Sequence, residues 1–469
     1  MTHMMTLQQA AQWLPGARLV GDGTVVLQRV HTDTRTIEAG DLFVALKGDR
    51  FDANEFLLDA QQRGAAGVLC HAGVDPSRYP SDLPRIEVLD TKVALGMLAA
   101  AWRGQFELPV IAVTGSNGKT TVTQMLASIM DACHPDGASL ATRGNLNNDI
   151  GVPLTLLRLR AHHAMAVVEL GMNHPGEIAA LAAMAQPTVA LVNNAQREHL
   201  EFMQTVQAVA QENGAVLAAL DPQGVAVFPS DDEYTAVWRA LAGAQRCVEF
   251  SLAENPDSKA DALGCVSATW THGAWRVHAR GLGTELHYQL AIAGRHNVKN
   301  SLAAAACALA AGVSVDAVQR GLQAFIPVKG RSRAVALQVK GHELTLVDDT
   351  YNANPDSVRA AIDVLSELPG PRLLVLGDMG EVGQQGPEFH AEAGRYARSK
   401  GIDQLMVLGD LTQSAVDAFS GARHFDSLDA MNAAVRTALP DLRSVLVKGS
   451  RFMRMERVVE FVIGEAPCC

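Results

Sequence analysis

The sequence predicts an α/β protein of three domains: a central parallel-sheet domain, a small N-terminal α/β domain and a C-terminal Rossmann-like α/β domain. Three observations lead there. A chain of 469 residues exceeds what one hydrophobic core organises, and ~150 residues per domain gives about three. Apolar runs of strand length alternate with stretches of helical spacing, the pattern of a parallel sheet covered on both faces. In the middle of the chain, the run from Leu108 to Val113 enters a Gly-rich turn, after which Val122, Met125, Leu126, Ile129 and Met130 recur at helical spacing.

The elements follow in order. Strand-like runs at Thr24 to Val30, Leu42 to Leu46 and Gly67 to Cys70, with a helical stretch from Asn54 to Arg63, make an N-terminal domain over residues 1–105. In the central domain, residues 106–327, the runs Met165 to Val168 and Val189 to Val192 are nearly all apolar, as doubly covered strands are. Val227 to Gln289 is less regular and predicts a small added antiparallel element, with runs at Thr269 to His278 and Glu285 to Ile292. The apolar stretch from Leu302 to Val313 is Ala-rich and too short for a bilayer, which needs about 20 residues, so a packed helix is expected. After Pro327-Val328-Lys329-Gly330, a joint is expected, and residues 328–469 form the third domain. Its runs are Leu344 to Val347, Leu373 to Leu376, Leu405 to Leu408 and Val445 to Val447. Its first helix has plain start signals: Asn354 to cap, Pro355 at the first position, Asp356 at the positive end, and Val358, Ala361, Ile362 and Leu365 on one face.

Composition excludes several classes. Hydrophobic residues at 48% with 19% charged rule out a disordered or fibrous chain. A formal charge of -11 opposes nonspecific binding to nucleic acid, so no nucleic-acid partner is expected. The N-terminus lacks a basic opening and a continuous apolar core, so a cytoplasmic protein with no membrane association is expected. Seven scattered cysteines without a CxxC pair predict free thiols, Cys468-Cys469 being an incidental tail.

The strongest chemical signal is Thr114-Gly115-Ser116-Asn117-Gly118-Lys119-Thr120-Thr121 between strand and helix. Glycines let backbone N–H groups approach phosphate oxygens, and the helix N-terminus adds partial positive charge. Lys119 reaches the β and γ phosphates, and the Thr120 hydroxyl suits a magnesium ion. A bare strand-to-helix turn is the bland alternative, and a lysine–threonine pair at the helix start argues against it. ATP and Mg2+ are therefore expected, which makes the centre a P-loop ATPase domain. Val113 stands where the general pattern has its first glycine.

This shortened loop resembles that of the Mur ligases, the superfamily that includes the folate polyglutamate synthases. Downstream segments extend the likeness. Glu169 ends a strand, and Glu198-His199-Leu200-Glu201 follows the next, so Glu169 and His199 are expected at the carboxyl edge of the sheet facing the loop as magnesium ligands with Thr120. Gly294-Arg295-His296-Asn297-Val298-Lys299-Asn300 resembles the family segment G-x-H-N-x-x-N; for Asn297 and Asn300, nucleotide contact and helix capping are compatible. The resemblance further implies an ATP-contacting arginine at Arg331, an acidic ribose contact at Asp349, and a contribution to the closed site from Lys448, Ser450 and Arg451.

Within the superfamily, the likeness is to the branch that adds D-alanyl-D-alanine to UDP-N-acetylmuramoyl-tripeptide. Thr32 to Arg35 with Gly40 to Gly48 resembles the UDP-sugar-peptide module, so Thr34, Arg35 and Lys47 are implied substrate contacts. Asn145, Asn147 and Asn148 in Gly144 to Pro153, and Asn352 and Asn354 in Asp349 to Pro355, are implied likewise. The activity implied is amide-bond formation through an acyl phosphate by a monomer, with Lys119, Glu169, His199 and Arg331 central to it. Three positions depart from the family: Glu198 before the histidine, Phe452-Met453-Arg454 after Arg451, and Asn213 where many Mur ligases have a carbamylated lysine that helps hold a second magnesium. A folate polyglutamate synthase, a P-loop kinase or regulatory NTPase, and an inactive UDP-sugar binder are the rival readings.

Overall fold

A computed structural model describes residues 3–48, 51–75, 82–253, 261–271 and 273–465. Cys468 and Cys469 lie outside the described residues; the described cysteines, at 70, 133, 247, 265 and 307, are free thiols.

A nine-stranded sheet forms the middle of the molecule. From edge to edge its strands are Thr284–Leu290, Ala274–Gly281, Ala262–Thr271, Arg246–Ser251, Val225–Pro229, Val189–Val192, Val110–Thr114, Met165–Glu169 and Ser139–Ala141. Neighbours pair in parallel from Ser139–Ala141 to Ala262–Thr271, and the last two pairings are antiparallel. Side chains alternate across a strand, so Val110, Ala112, Val168 and Val192 enter one core while Ile111, Val113, Val167 and Leu191 enter the other. Both faces are buried, which is why these strands read as unbroken apolar runs.

The expected small antiparallel element between Val227 and Gln289 needs correction. Its strands are not an appendage; they extend the central sheet, first in parallel and then as an antiparallel ribbon. Long alternating strands with one wet face, such as Thr284–Leu290, give no continuous apolar run to see. The Ala-rich stretch is a helix, Arg295–Ala310, whose residues Leu302 to Ala308 are all buried. Small side chains let it lie close to the sheet.

The C-terminal sheet has six strands in the order Arg333–Val339, His342–Asp349, Ser444–Lys448, Arg372–Gly377, Gln404–Leu408, Arg423–Phe425. Only the first pair is antiparallel. The edge strand Arg333–Val339 was not foreseen; its exposed positions include Ala334 and Ala336, so no polar–apolar alternation marks it. The helix Pro355–Glu367 starts as expected: the Asn354 side chain accepts from the Ser357 N–H at 2.8 Å in a capping box, and Val358, Ala361, Ile362 and Leu365 are buried.

The N-terminal part holds a five-stranded sheet and a two-stranded ribbon. Two expectations change here. The single run Thr24 to Val30 is two strands, Val26–Leu27 pairing with Met5–Thr6 and Arg29–His31 pairing with Asp41–Val44. The helix expected from Asn54 starts as a 3-10 turn, Ala53–Phe56, and becomes α-helical only over Leu57–Gln62. Asp52 caps that turn, and buried Asn54 donates to the Ala45 carbonyl and accepts from the His71 N–H. Helix Thr91–Arg103 docks the N-terminal part on the central one: Trp102 donates to the Leu159 carbonyl, and Arg103 to those of Ala185 and Gln186.

Candidate active site

The Gly-rich loop leaves the centre of the nine-stranded sheet. Strand Val110–Thr114 is flanked by Met165–Glu169 on one side and Val189–Val192 on the other, so the segments leaving all three strands meet at one sheet edge. Gly118 has φ +84°, and a Cβ there would lie 2.5 Å from Asn300 Oδ1 and 2.6 Å from Asn193 Nδ2. Only glycine fits. Helix Lys119–Cys133 starts directly after it, with its N-terminus toward a cleft of about 1380 Å³. The cleft is lined by Ser116, Asn117, Gly118, Lys119, Thr120 and Thr121 of the loop.

Lys119 Nζ donates to the Gly115 and Ser116 carbonyls at 2.6 and 3.1 Å and to Glu198 Oε1 at 3.0 Å. Thr120 Oγ1 donates to Glu169 Oε1 at 3.1 Å, and Asn147 Nδ2 donates to the same oxygen at 2.8 Å. Glu169 is 2% exposed, and its Oε2 is buried with no protein partner. Such an orphaned carboxylate oxygen beside the Thr120 hydroxyl fits a hard divalent cation, which binds oxygen ligands.

The C-terminal part closes over this loop. Arg331 Nη2 donates to Thr120 Oγ1 at 3.1 Å, while its guanidinium stacks 3.8 Å from the Tyr351 ring. Asn354, besides capping its helix, donates to Asn117 Oδ1 at 3.0 Å. Asp349 takes Lys448 Nζ on Oδ2 at 2.6 Å and the Ser332 N–H on Oδ1 at 3.0 Å. Burial alone would raise its pKa, but the Lys448 ammonium and these hydrogen bonds hold it below the usual carboxylate range. Burial pushes the adjacent His296 imidazole toward its neutral form.

His199 sits at φ +49° with Nδ1 2.7 Å from Glu381 Oε2, a partner supplied by the C-terminal part. The close His199 imidazole lowers the Glu381 pKa against the opposing effect of burial. Arg197 also ties the two parts together. Its guanidinium reaches Asp356 and Glu392, each at 2.7 Å, and lies over the Phe389 ring.

Most residues singled out in the sequence therefore line one cleft: Ser116 to Thr121 of the loop but not Gly115, with Asn145, Asn147, Asn148, Glu169, His199, Asn297, Asn300, Arg331, Asp349, Asn352, Asn354, Lys448, Ser450 and Arg451. Several of them face the protein as much as the cleft. Asn297 and Asn300 form a buried chain in which Asn300 Nδ2 donates to Asn297 Oδ1 and Asn193 Nδ2 donates to Asn300 Oδ1. Ser450 Oγ accepts from Gly380 N and donates to the Ala353 carbonyl, and Arg451 pairs with Glu456. Thr34, Arg35 and Lys47 do not line the cleft; Arg35 pairs with Asp33 and Lys47 with Asp52 on the N-terminal surface.

Sequence reasoning missed Asn193, Asn194, Gln196, Arg197 and Glu381. The first four belong to Asn193 to Arg197, a polar run straight after a buried strand, which is a usable signal for a sheet-edge site. Glu381 carries none. Asn213, in the region where the family resemblance implied a carbamylated lysine, is 1% exposed and faces the loop itself. Its Oδ1 accepts from the Thr114 hydroxyl at 2.6 Å and the Gly115 N–H at 3.0 Å. Asn213→Ala leaves both donors buried and unpaired, at ~1–3 kcal/mol. ADP affinity measured by calorimetry is expected to fall about tenfold, within the range that energy spans; unchanged affinity would show that the loop keeps its shape without Asn213.

A phosphate loop, an orphaned carboxylate beside it and an arginine reaching in from a second sheet define an ATP-dependent ligase. The chain belongs to the Mur ligase family. Residues 27–103 match the Mur ligase family catalytic domain, 113–308 the Mur ligase middle domain, and 330–451 the Mur ligase glutamate ligase domain. It is 38% identical to the UDP-N-acetylmuramoyl-tripeptide--D-alanyl-D-alanine ligase of Escherichia coli strain K12, over 99% of both chains. A crystal structure of MurF from Acinetobacter baumannii superposes with a TM-score of 0.87 at 34% identity, covering 98% of each chain. The MurF ligase of Thermotoga maritima in complex with ADP superposes at 0.80 with 26% identity, covering 93% of this chain and 97% of that one.

Proposed function

We propose that this chain adds D-alanyl-D-alanine to UDP-N-acetylmuramoyl-tripeptide, using ATP and Mg2+, to form the UDP-N-acetylmuramoyl-pentapeptide precursor of peptidoglycan. The observation that carries the reading is the convergence on Thr120 Oγ1, which meets Glu169 of the central sheet and Arg331 of the C-terminal part at 3.1 Å each. Likeness to the Escherichia coli ligase over nearly the whole chain supports the choice of substrates.

A carboxylate is a poor electrophile and hydroxide a poor leaving group, so amide formation needs activation. On this reading the backbone of Gly115 to Thr121 cradles the triphosphate, and Lys119 and Arg331 spread the charge of the γ-phosphoryl group as it transfers to the tripeptide carboxylate. Thr120, Glu169 and His199 would hold magnesium, whose charge neutralises phosphate oxygens. The amine of D-alanyl-D-alanine attacks the acyl phosphate, and the tetrahedral intermediate expels phosphate. Contacts of Arg331, Asn354 and Glu381 with the central part keep water from the acyl phosphate. Residues 1–105 would carry the UDP-sugar-peptide through Thr34, Arg35 and Lys47, 106–327 the nucleotide, and 328–469 the closing part. A cytoplasmic monomer belongs to the same reading; among the described residues no helix is long and apolar enough to cross a membrane.

Mass spectrometry of the product from UDP-N-acetylmuramoyl-tripeptide, D-alanyl-D-alanine and ATP tests the proposal. Phosphate release that requires both the carboxylate and the amine, with the pentapeptide as product, is the expected outcome. A phosphorylated product that persists with the amine present would make the chain a kinase instead.

A further inference from the structure

The antiparallel edge of the central sheet holds a group of side chains that the ligase site does not use. His278 on strand Ala274–Gly281 and His287 on strand Thr284–Leu290 are paired directly across the ribbon, so their side chains share one face. Their rings stack with centroids 4.2 Å apart and planes 17° from parallel. Glu285 precedes His287 by two residues, which puts its side chain on the same face. Its Oε2 lies 3.8 Å from Nε2 of both histidines. The three ligand atoms all lie within 4.8 Å of one another.

We propose that His278, Glu285 and His287 bind a transition-metal dication, with zinc the best fit, and that the ion ties together the last two strands of the sheet. Two imidazoles and one carboxylate are a common zinc donor set, water completing a tetrahedron. Ligand atoms ~2.0–2.1 Å from a tetrahedral zinc are ~3.3 Å from each other, so each histidine must close on Glu285 by about half an ångström and the two imidazole nitrogens, within 4.8 Å of one another, by up to about 1.5 Å. Metal binding also requires the two imidazoles, stacked 17° from parallel, to turn out of the stack about χ1 and χ2 so that their Nε2 lone pairs converge.

Two further observations favour a ligand here. Nε2 of His278 is buried and has no hydrogen-bond partner. Arg280 Nε donates to Glu285 Oε1 at 2.8 Å, which orients the carboxylate and leaves Oε2 toward the histidines. The backbone is also held, since Gln319 of helix Val315–Ala324 accepts from the His287 N–H at 2.7 Å. Imidazole donors favour zinc, copper or nickel over magnesium, so the magnesium of the ligase reaction does not compete. None of the three residues lines the ATP cleft, so this inference stands apart from the proposed reaction.

The test uses the full chain, stripped of metal with a chelator and titrated with zinc chloride in excess magnesium. Saturable zinc binding is expected, weakened at least about tenfold by His287→Gln and by Glu285→Gln, and zinc should raise the thermal midpoint of the parent but not of the variants. Both side chains are half exposed or more, so the variants keep the fold, and turnover in magnesium should be that of the parent. His199→Gln separates this site from the cleft and should leave zinc affinity unchanged. Absence of zinc binding by the parent, affinity unaltered in both edge variants, or affinity lost in His199→Gln would each overturn the proposal.

Discussion

Lys119→Ala is expected to lower turnover by about 10²–10³-fold, the scale for removing one group that stabilises transition-state charge, while binding of the UDP-sugar-peptide stays near that of the parent. The ammonium belongs to the first turn of the helix that begins at the loop, and its three contacts are the Gly115 and Ser116 carbonyls and Glu198. Without it nothing else in the loop carries a positive side chain, so the charge moving with the γ-phosphoryl group is left to Arg331 and the metal. Glu198 also loses its cation, so Glu198→Gln separates that loss from the effect on catalysis. Steady-state phosphate release gives the turnover, and calorimetry with UDP-N-acetylmuramoyl-tripeptide gives the affinity. Equal loss of both would contradict a map that puts nucleotide and UDP-sugar on different parts of the chain.

The second large effect is expected at Arg197. Its side chain is 24% exposed and spans two carboxylates of the C-terminal part, Asp356 at 21% and Glu392 at 26% exposure. Burial alone would weaken its charge, but the two carboxylates keep it more firmly protonated than a free arginine, and Arg197 in turn lowers the Glu392 pKa. Removing one member of a hydrogen-bonded charge group across an interface costs ~2–5 kcal/mol, much of it from stranding the partners. Arg359 still reaches Glu392, so that carboxylate is only partly stranded, and the lower end applies. With about 2 kcal/mol taken from the closed arrangement, kcat/KM for ATP should fall about 30-fold. Arg197→Lys keeps the charge but not the fork and should recover only part of it. If Arg197→Ala matches the parent in kcat/KM, docking of the C-terminal part does not depend on this pair.

Much of this was legible in the sequence for a physical reason. A strand buried on both faces must be apolar throughout, so Met165–Glu169 and Val189–Val192 were visible, the former one residue short. A helix that begins with Asn354-Pro355-Asp356 satisfies its own first turn, so its start could be placed exactly at Pro355. The antiparallel pairing after Val227 was expected, but its continuity with the central sheet was not, because it depends on Arg246–Ser251 pairing with Ala262–Thr271; the hold on Asn54 escaped because its side chain is fixed by residues distant in sequence, such as His71. In the site, the loop and Glu169 could be found because each sits at a strand end with a distinctive residue type. Glu381 could not, since a charged residue in a loop looks like solvated surface until its partners are known; the polar run after the strand marks Arg197 but not the two carboxylates it reaches.

Local chemistry, then, was decided by the sequence alone: the phosphate loop, the strands that carry it, and the caps and faces of the helices, all of which depend on residues within a turn or two of each other. The tertiary structure decided which groups meet across those elements. Thr120 is joined to Glu169 and Arg331, Arg197 to Asp356 and Glu392, and Asn213 to the loop backbone. Each of these contacts brings together residues dozens to hundreds of positions apart, and its geometry comes from how the sheets pack rather than from the spacing of side chains along the chain.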